Sequence, residues 1–253
     1  MNNLPNCITS CKISMYADDT VIHYSSKSVK SIETKLNEDL LNVHKWFTDN
    51  LLSLNEKKSK FMLFIGGHER LKSCSAVSIC INRSTLERVD TFKYLGITID
   101  QNMTWSDHIE SVVAKANQRI GLLKRVKHLL PRHARVALYS ALILPILDYA
   151  DIVCGDKDNI TLMKMLQIVQ NKAAKIILDL PMYASSTDAL RTLKFKPLDE
   201  RRFYHRCLLV HKIKNKQIDY KFDLITNSDV HQYNSSRSKN DFHLKRVKTN
   251  WEN

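Results

Sequence analysis

The spacing of apolar positions changes several times along the chain, and each change marks an element. Between residues 13 and 24, two short runs of apolar and β-forming residues, Ile13-Ser14-Met15-Tyr16 and Thr20-Val21-Ile22-His23-Tyr24, flank Asp18-Asp19. That pattern predicts a tight β-hairpin with the two acids at its tip. Over 27–50 the period lengthens. Val29, Ile32, Leu36, Leu40, Val43 and Phe47 recur every three or four residues, which predicts an amphipathic helix. Ser28 or Ser31 can cap its start, and Lys30, Lys35, Glu38 and Asp39 fall largely off the apolar stripe. Residues 51–55 read as extended. Residues 61–65 read as a strand closed by Gly66-Gly67, and 76–81, 86–89 and 92–99 as short strands, with Asn82-Arg83-Ser84 as a turn.

From residue 105 onward the helical period dominates. Ile109, Val112, Val113, Ala116, Ile120, Leu123 and Val126 make one stripe, ended by Pro131. A second helix is expected over 132–144, stopping at Pro145. A third is expected over 159–180, with Leu162, Leu166, Val169, Ala173, Ile176 and Ile177 inward. Three helices on short links predict a small bundle. A short helix over 187–193 and a basic one over 199–214 follow. Residues 227–253 are rich in Ser, Asn, Lys and Arg and are expected to be loosely ordered.

Charge alters this picture more than composition does. The net charge is +13, and all of it lies in the second half: residues 1–114 carry 13 basic and 13 acidic residues, and residues 115–253 carry 26 and 13. That asymmetry predicts a polyanionic partner for the C-terminal part. The longest apolar run, 136–154, contains Pro145, Asp148 and Asp151, so it predicts a buried helix and no membrane span. Pro5, Cys7 and Lys12 interrupt any leader-like run, so an intracellular, non-secreted protein is expected. None of the six cysteines forms a C-x₂-C pair, which argues against a zinc ribbon and for free, reduced thiols.

The chemistry sits at the first hairpin. Neighbouring strand residues point to opposite faces, so two adjacent carboxylates cannot both enter one core. A rigid pair of this kind suits a hard divalent cation such as Mg²⁺, which takes oxygen ligands and bridges to phosphates.

Tyr16-Ala17-Asp18-Asp19-Thr20 resembles the central catalytic hairpin of reverse transcriptases. The segments that follow resemble the non-LTR (LINE-type) retrotransposon branch. Trp46 to Met62 is similar to its W-x-x-x-N-x-L-x-L-N-x-x-K-[ST] segment, and Phe92-Lys93-Tyr94-Leu95-Gly96 to its F-K-Y-L-G hairpin. Ala137 to Ala150 and Leu166 to Ala173 are similar to its LY-x-x-x-x-P-x-L-x-Y-[GA] and L-Q-x-x-Q-[NK]-[KR]-A segments.

The resemblance implies an α+β fold in three parts. These are a partial palm with two functional hairpins over 1–100, a helical thumb-like domain over 101–182, and a basic extension over 183–253 with a partly disordered tail. It implies Asp18 and Asp19 as catalytic metal ligands for Mg²⁺ or Mn²⁺. Lys58 would face nucleotide phosphates, and Tyr94, Leu95 and Gly96 would form a primer-grip-like turn. A thumb-like basic helix would grip nucleic-acid backbone, through Lys115, Arg119, Lys124, Arg125 and Lys127. The partners implied are an RNA template and a DNA primer. The family's fingers and its other palm Asp would fall before Met1, so little or no polymerase activity is expected of the chain alone. The alternative is a non-catalytic remnant that binds RNA or DNA through its basic helical half.

Overall fold

The computed structural model describes residues 3–65, 77–82, 84–154 and 159–218. The Gly66-Gly67 closure, the turn at Arg83 and the 227–253 tail lie outside the described residues. The chain forms two compact units, residues 1–108 and 109–253. The fold is mixed: small strand pairs, all antiparallel but one, accompany several helices.

In the first unit, β1 (Lys12–Tyr16) and β2 (Asp19–His23) pair antiparallel, with Tyr16 opposite Asp19. Ile22 of β2 packs with Leu36 and Leu40 of α1 (Val29–Asp49) against Ile79, Ile81 and Leu86. Ser28 caps α1 by accepting from the Ser31 N–H at 3.5 Å. Asp39 departs from the expected solvent face of α1 and is fully buried. Its carboxylate accepts from the Thr9, Ser10 and Cys11 N–H groups at 2.9, 2.9 and 2.7 Å, and from the Thr9 hydroxyl at 2.7 Å. The root of β1 is thereby fixed to the helix. The helical period could not show this, because the donors lie about 30 residues upstream.

The strand expected over 61–65 is only two residues long. β3 (Lys60–Phe61) pairs parallel with β6 (Glu87–Arg88), while β4 (Cys80–Ile81) pairs with β5 (Ser84–Thr85). The hairpin of β7 (Thr91–Tyr94) and β8 (Ile97–Asp100) ends in buried Asp100. Asp100 accepts from the N–H groups of Asn102, Thr104 and Trp105 and so holds the loop into α2 (Ser106–Val126).

In the second unit, α2 buries Ile109, Val112, Ala116, Ile120 and Leu123. Helix α3 (Arg132–Leu138) does not stop at Pro145. It passes through a π turn, Tyr139–Ile143, into α4 (Leu144–Asp148). Pro145 stands in the first turn of α4, directly after the π turn, so the change of helical pitch falls where the proline has no N–H to offer the preceding turn. A short α5 (Asp151–Cys154) precedes α6 (Ile160–Ile177), capped by Asn159, then α7 (Ser186–Leu193) and α8 (Leu198–Lys214). No helix among the described residues is long and apolar enough to cross a membrane.

Candidate functional site

The strongest candidate lies at the β1–β2 tip. Ala17 and Asp18 form a two-residue turn, and Ala17 has φ 54°. Primed two-residue turns need positive φ at the first central position, usually supplied by glycine. Alanine there costs about 1 kcal/mol. Strain of this kind gathers at functional tips. Asp18 sits in the turn and Asp19 begins β2, and both are exposed. Pairing puts Asp19 on the face of Tyr16, opposite the face of Ile13, Ile22 and Met15. Two carboxylates are a hard-oxygen donor set, suited to Mg²⁺ that is also held by phosphate. Among the described residues, no third acid, Cys or His groups with them.

Lys58 lies on a tight turn that Asn55 builds. The Asn55 carbonyl accepts from the Lys58 and Ser59 N–H groups at 3.1 and 3.2 Å, and its side-chain oxygen accepts from Lys58 N–H at 3.2 Å. Lys58 is exposed. Just upstream, Asn50 ends α1, its amide donating to the Trp46 carbonyl at 2.8 Å. The Leu51 N–H reaches Thr48 O and the Leu52 N–H reaches Phe47 O, a Schellman closure with Leu51 at φ 56°. The W-x-x-x-N-x-L pattern is therefore a helix stop.

Leu95 and Gly96 occupy the β7–β8 turn at φ 46° and 82°. Gly96 serves this turn and is not in a bulge. Lys115, Arg119, Lys124 and Arg125 are exposed on α2. At about 100° per residue, Lys115 and Arg119 flank the buried stripe on one side, Lys124 flanks it on the other, and Arg125 lies opposite. Lys127 lies past the helix and pairs with Asp179 at 2.6 Å. Lys127 and then Arg135 hold the Asp179 carboxyl below the usual range.

The second unit holds a polar network that periodicity does not reveal. The Gln167 amide donates to Gln170 and Asn171, and its oxygen accepts from the Leu198 N–H at 2.9 Å. Gln170, itself buried, donates to the Tyr139 hydroxyl and to the Lys196 carbonyl. These amides stitch α6 to the segment before α8.

Nearby, Asp148, Asp151 and His205 bring three ligand atoms within 4.8 Å of one another. Arg201 already clamps Asp148, which raises the Arg201 pKa, and His205 Nδ1 lies 2.6 Å from buried Asp151. Arg201 and His205 thus engage the two acids, so the group reads as a self-compensated network and not as a metal centre. Two acids inside an apolar run, with Arg201 and His205 four residues apart on a helix, were its only sequence signal.

Residues 1–99 match the family described as "Reverse transcriptase (RNA-dependent DNA polymerase)". The chain is 28% identical over 200 residues to a probable RNA-directed DNA polymerase from transposon BS of Drosophila melanogaster, covering 76% of this chain and 21% of that protein. It is 28% identical over 192 residues to an RNA-directed DNA polymerase from mobile element jockey of the same fly, covering 75% and 20%. It is 30% identical over 112 residues to a Pol polyprotein from the type-1 retrotransposable element R1 2 of Nasonia vitripennis, covering 44% and 27%. The chain therefore spans about a fifth of the length of the first two relatives. No solved structure matches it.

Proposed function

We propose that this chain carries part of a reverse transcriptase region of the non-LTR retrotransposon kind, the kind to which it is similar, and that it contributes the acidic hairpin and a nucleic-acid-gripping helix to RNA-templated DNA synthesis. The observation that carries this reading is the strained two-residue turn that exposes Asp18 and Asp19 side by side. The two carboxylates would hold Mg²⁺ beside the phosphates of an incoming nucleotide. A bound divalent ion in such a site supplies charge neutralisation and a lowered pKa for the primer hydroxyl. The chain's own parts do the rest. α1 and Asp39 keep the hairpin rigid, the Asn55 turn presents Lys58 outward toward phosphate, and Leu95-Gly96 offers backbone to the primer strand. Lys115, Arg119, Lys124 and Arg125 would meet template–primer phosphates without reading sequence.

Nucleotidyl transfer with two metal ions needs carboxylates from more than one strand. Because no third ligand stands with Asp18 and Asp19 among the described residues, primer extension by the purified chain is expected near background. Mn²⁺ in place of Mg²⁺ should broaden the amide NMR signals of residues 16–20, and Asp18→Asn with Asp19→Asn should abolish that. Broadening untouched by the double variant overturns the assignment. Robust synthesis lost in Asp18→Ala would show instead that the chain alone suffices.

The alternative of binding without catalysis is supported by the exposed bases of α2 alone. It predicts affinity for any RNA or DNA that falls steeply with salt. Undetectable binding at low salt refutes it.

A further inference from the structure

A cavity of about 560 Å³ opens within the second unit between α6, α7 and α8. The size is that of a small-ligand site. Met163, Leu190 and Phe195 give it an apolar wall. Phe195 is fixed there by Tyr139, which stacks against it with ring centroids 4.7 Å apart and an interplanar angle of 20°. Charge on the lining is mostly basic: Lys164, Arg202 and Arg206 stand against a single lining acid, Asp199, and a fourth base, Arg191, is paired with Asp188 at 3.2 Å just outside it.

Arg202 is the informative member. It is only 5% exposed, so its guanidinium has left water. Five N–H donors need acceptors there. One terminal nitrogen meets the Met163 thioether, a weak acceptor, and the other reaches the Leu147 carbonyl at 3.3 Å. Its Nε has no hydrogen-bond partner among the described residues. The two nearby acids are engaged elsewhere, Asp148 by Arg201 and Asp151 by His205. Asp151 and Asp148 still attract Arg202 through space, but burial outweighs them and lowers its pKa. A buried cation with an unpaired Nε is costly, and an anionic ligand would relieve that cost.

We infer that this cavity binds a phosphate-bearing ligand of mononucleotide size, its phosphate on Arg202 and its flat apolar part against Met163, Leu190 and Phe195. Phosphate fits better than a monocarboxylate because the lining offers several cations. The apolar wall explains why inorganic phosphate alone should bind weakly. The inference does not depend on the hairpin acids, since the cavity lies wholly in the second unit.

The test uses the full chain and four probes: adenosine monophosphate, adenosine, inorganic phosphate, and an eight-residue deoxyadenosine oligonucleotide. Binding is read by calorimetry and by the rise in melting temperature. The monophosphate is expected to bind at least tenfold more tightly than adenosine or inorganic phosphate. If the oligonucleotide binds as tightly, and competes with the monophosphate, the occupant is a nucleotide within a strand. If only the monophosphate binds, it is a free nucleotide. Arg202→Met, close in volume, should lose at least tenfold in affinity. Lys164→Glu, on an exposed residue that does not threaten folding, should weaken binding several-fold. The inference is overturned if the monophosphate does not bind, or if it binds Lys164→Glu as tightly as the parent. Asp18→Asn with Asp19→Asn should leave this binding unchanged, which separates it from any occupant of the hairpin tip.

Discussion

Replacing Asp39 by Asn should destabilise the first unit more than any exposed charge change. The carboxylate is buried and accepts four hydrogen bonds from residues 9–11. Burial alone would raise its pKa, but the donors of Thr9, Cys11 and Ser10 outweigh it and hold the group far below the ordinary range. Hydrogen bonds to a charged group contribute about 1.5–3 kcal/mol each, and they are not additive. Asparagine keeps one acceptor oxygen but turns an NH₂ toward backbone donors. A net loss of about 3–5 kcal/mol follows, in the range for breaking a buried charged network. The sign with pH is fixed by the depressed value. The contribution is fully present above the unfolded pKa of about 3.9 and is lost as pH falls through the folded value. Urea melts of the parent should therefore lose stability steeply below about pH 4, and those of Asp39→Asn should be flatter there. Hydrogen exchange at Lys12 and Ser14, whose N–H groups face β2 in the ladder, should accelerate in the variant, because residues 9–11 root β1. A variant less than about 1 kcal/mol weaker, with the parent's acid profile, would refute this account.

Other outcomes follow from the same geometry. Leu51→Gly should stabilise the chain by about 0.5–1 kcal/mol, measured by urea denaturation, because Leu51 is 95% exposed and sits at φ 56°. Gln170→Leu should cost about 2 kcal/mol, because it leaves the Lys196 carbonyl and the Tyr139 hydroxyl without their shared donor. Its urea midpoint should fall accordingly. Among the described cysteines, a thiol reagent at pH 8 should label exposed Cys207 first. Cys11, pushed to about 12 by burial and then by Asp39, and Cys154, pushed to about 11 by burial, should react only on unfolding. Mass spectrometry of the labelled peptides reads the order.

Elements with local causes were legible in the sequence. The α1 stripe follows from spacing alone, which leaves Ser28 or Ser31 as its cap. The first hairpin was legible too, although its turn is Ala17-Asp18 and Asp19 already belongs to β2, while the Leu95-Gly96 turn interrupts a stretch that reads as one strand. What stayed hidden depends on partners far away in the chain. Asp39 reads as a surface residue until Thr9, Ser10 and Cys11 supply its donors. Gln167 and Gln170 look like polar intrusions in a helix until Leu198 and Lys196 come alongside. Pro145 looks like a stop because a straight α-helix would break there, and the π turn before it cannot be seen in periodicity. Lys127 shares the basic character of α2, but Asp179, fifty-two residues on, engages it. Arg202 reads as one of several bases on α8, and only packing shows it to be interior.

That π turn sets a phase. Tyr139, at its start, meets Gln170 and Phe195, whereas Asp148, after it, meets Arg201. One helical rail thus delivers two contacts whose angular relation depends on the extra residue between them. Removing a single residue from 139–143 would turn everything downstream by about 100°. The aromatic anchor and the ion pair could then not both form, so the exposed positions 140–142 should tolerate substitution far better than the stretch tolerates a change of length.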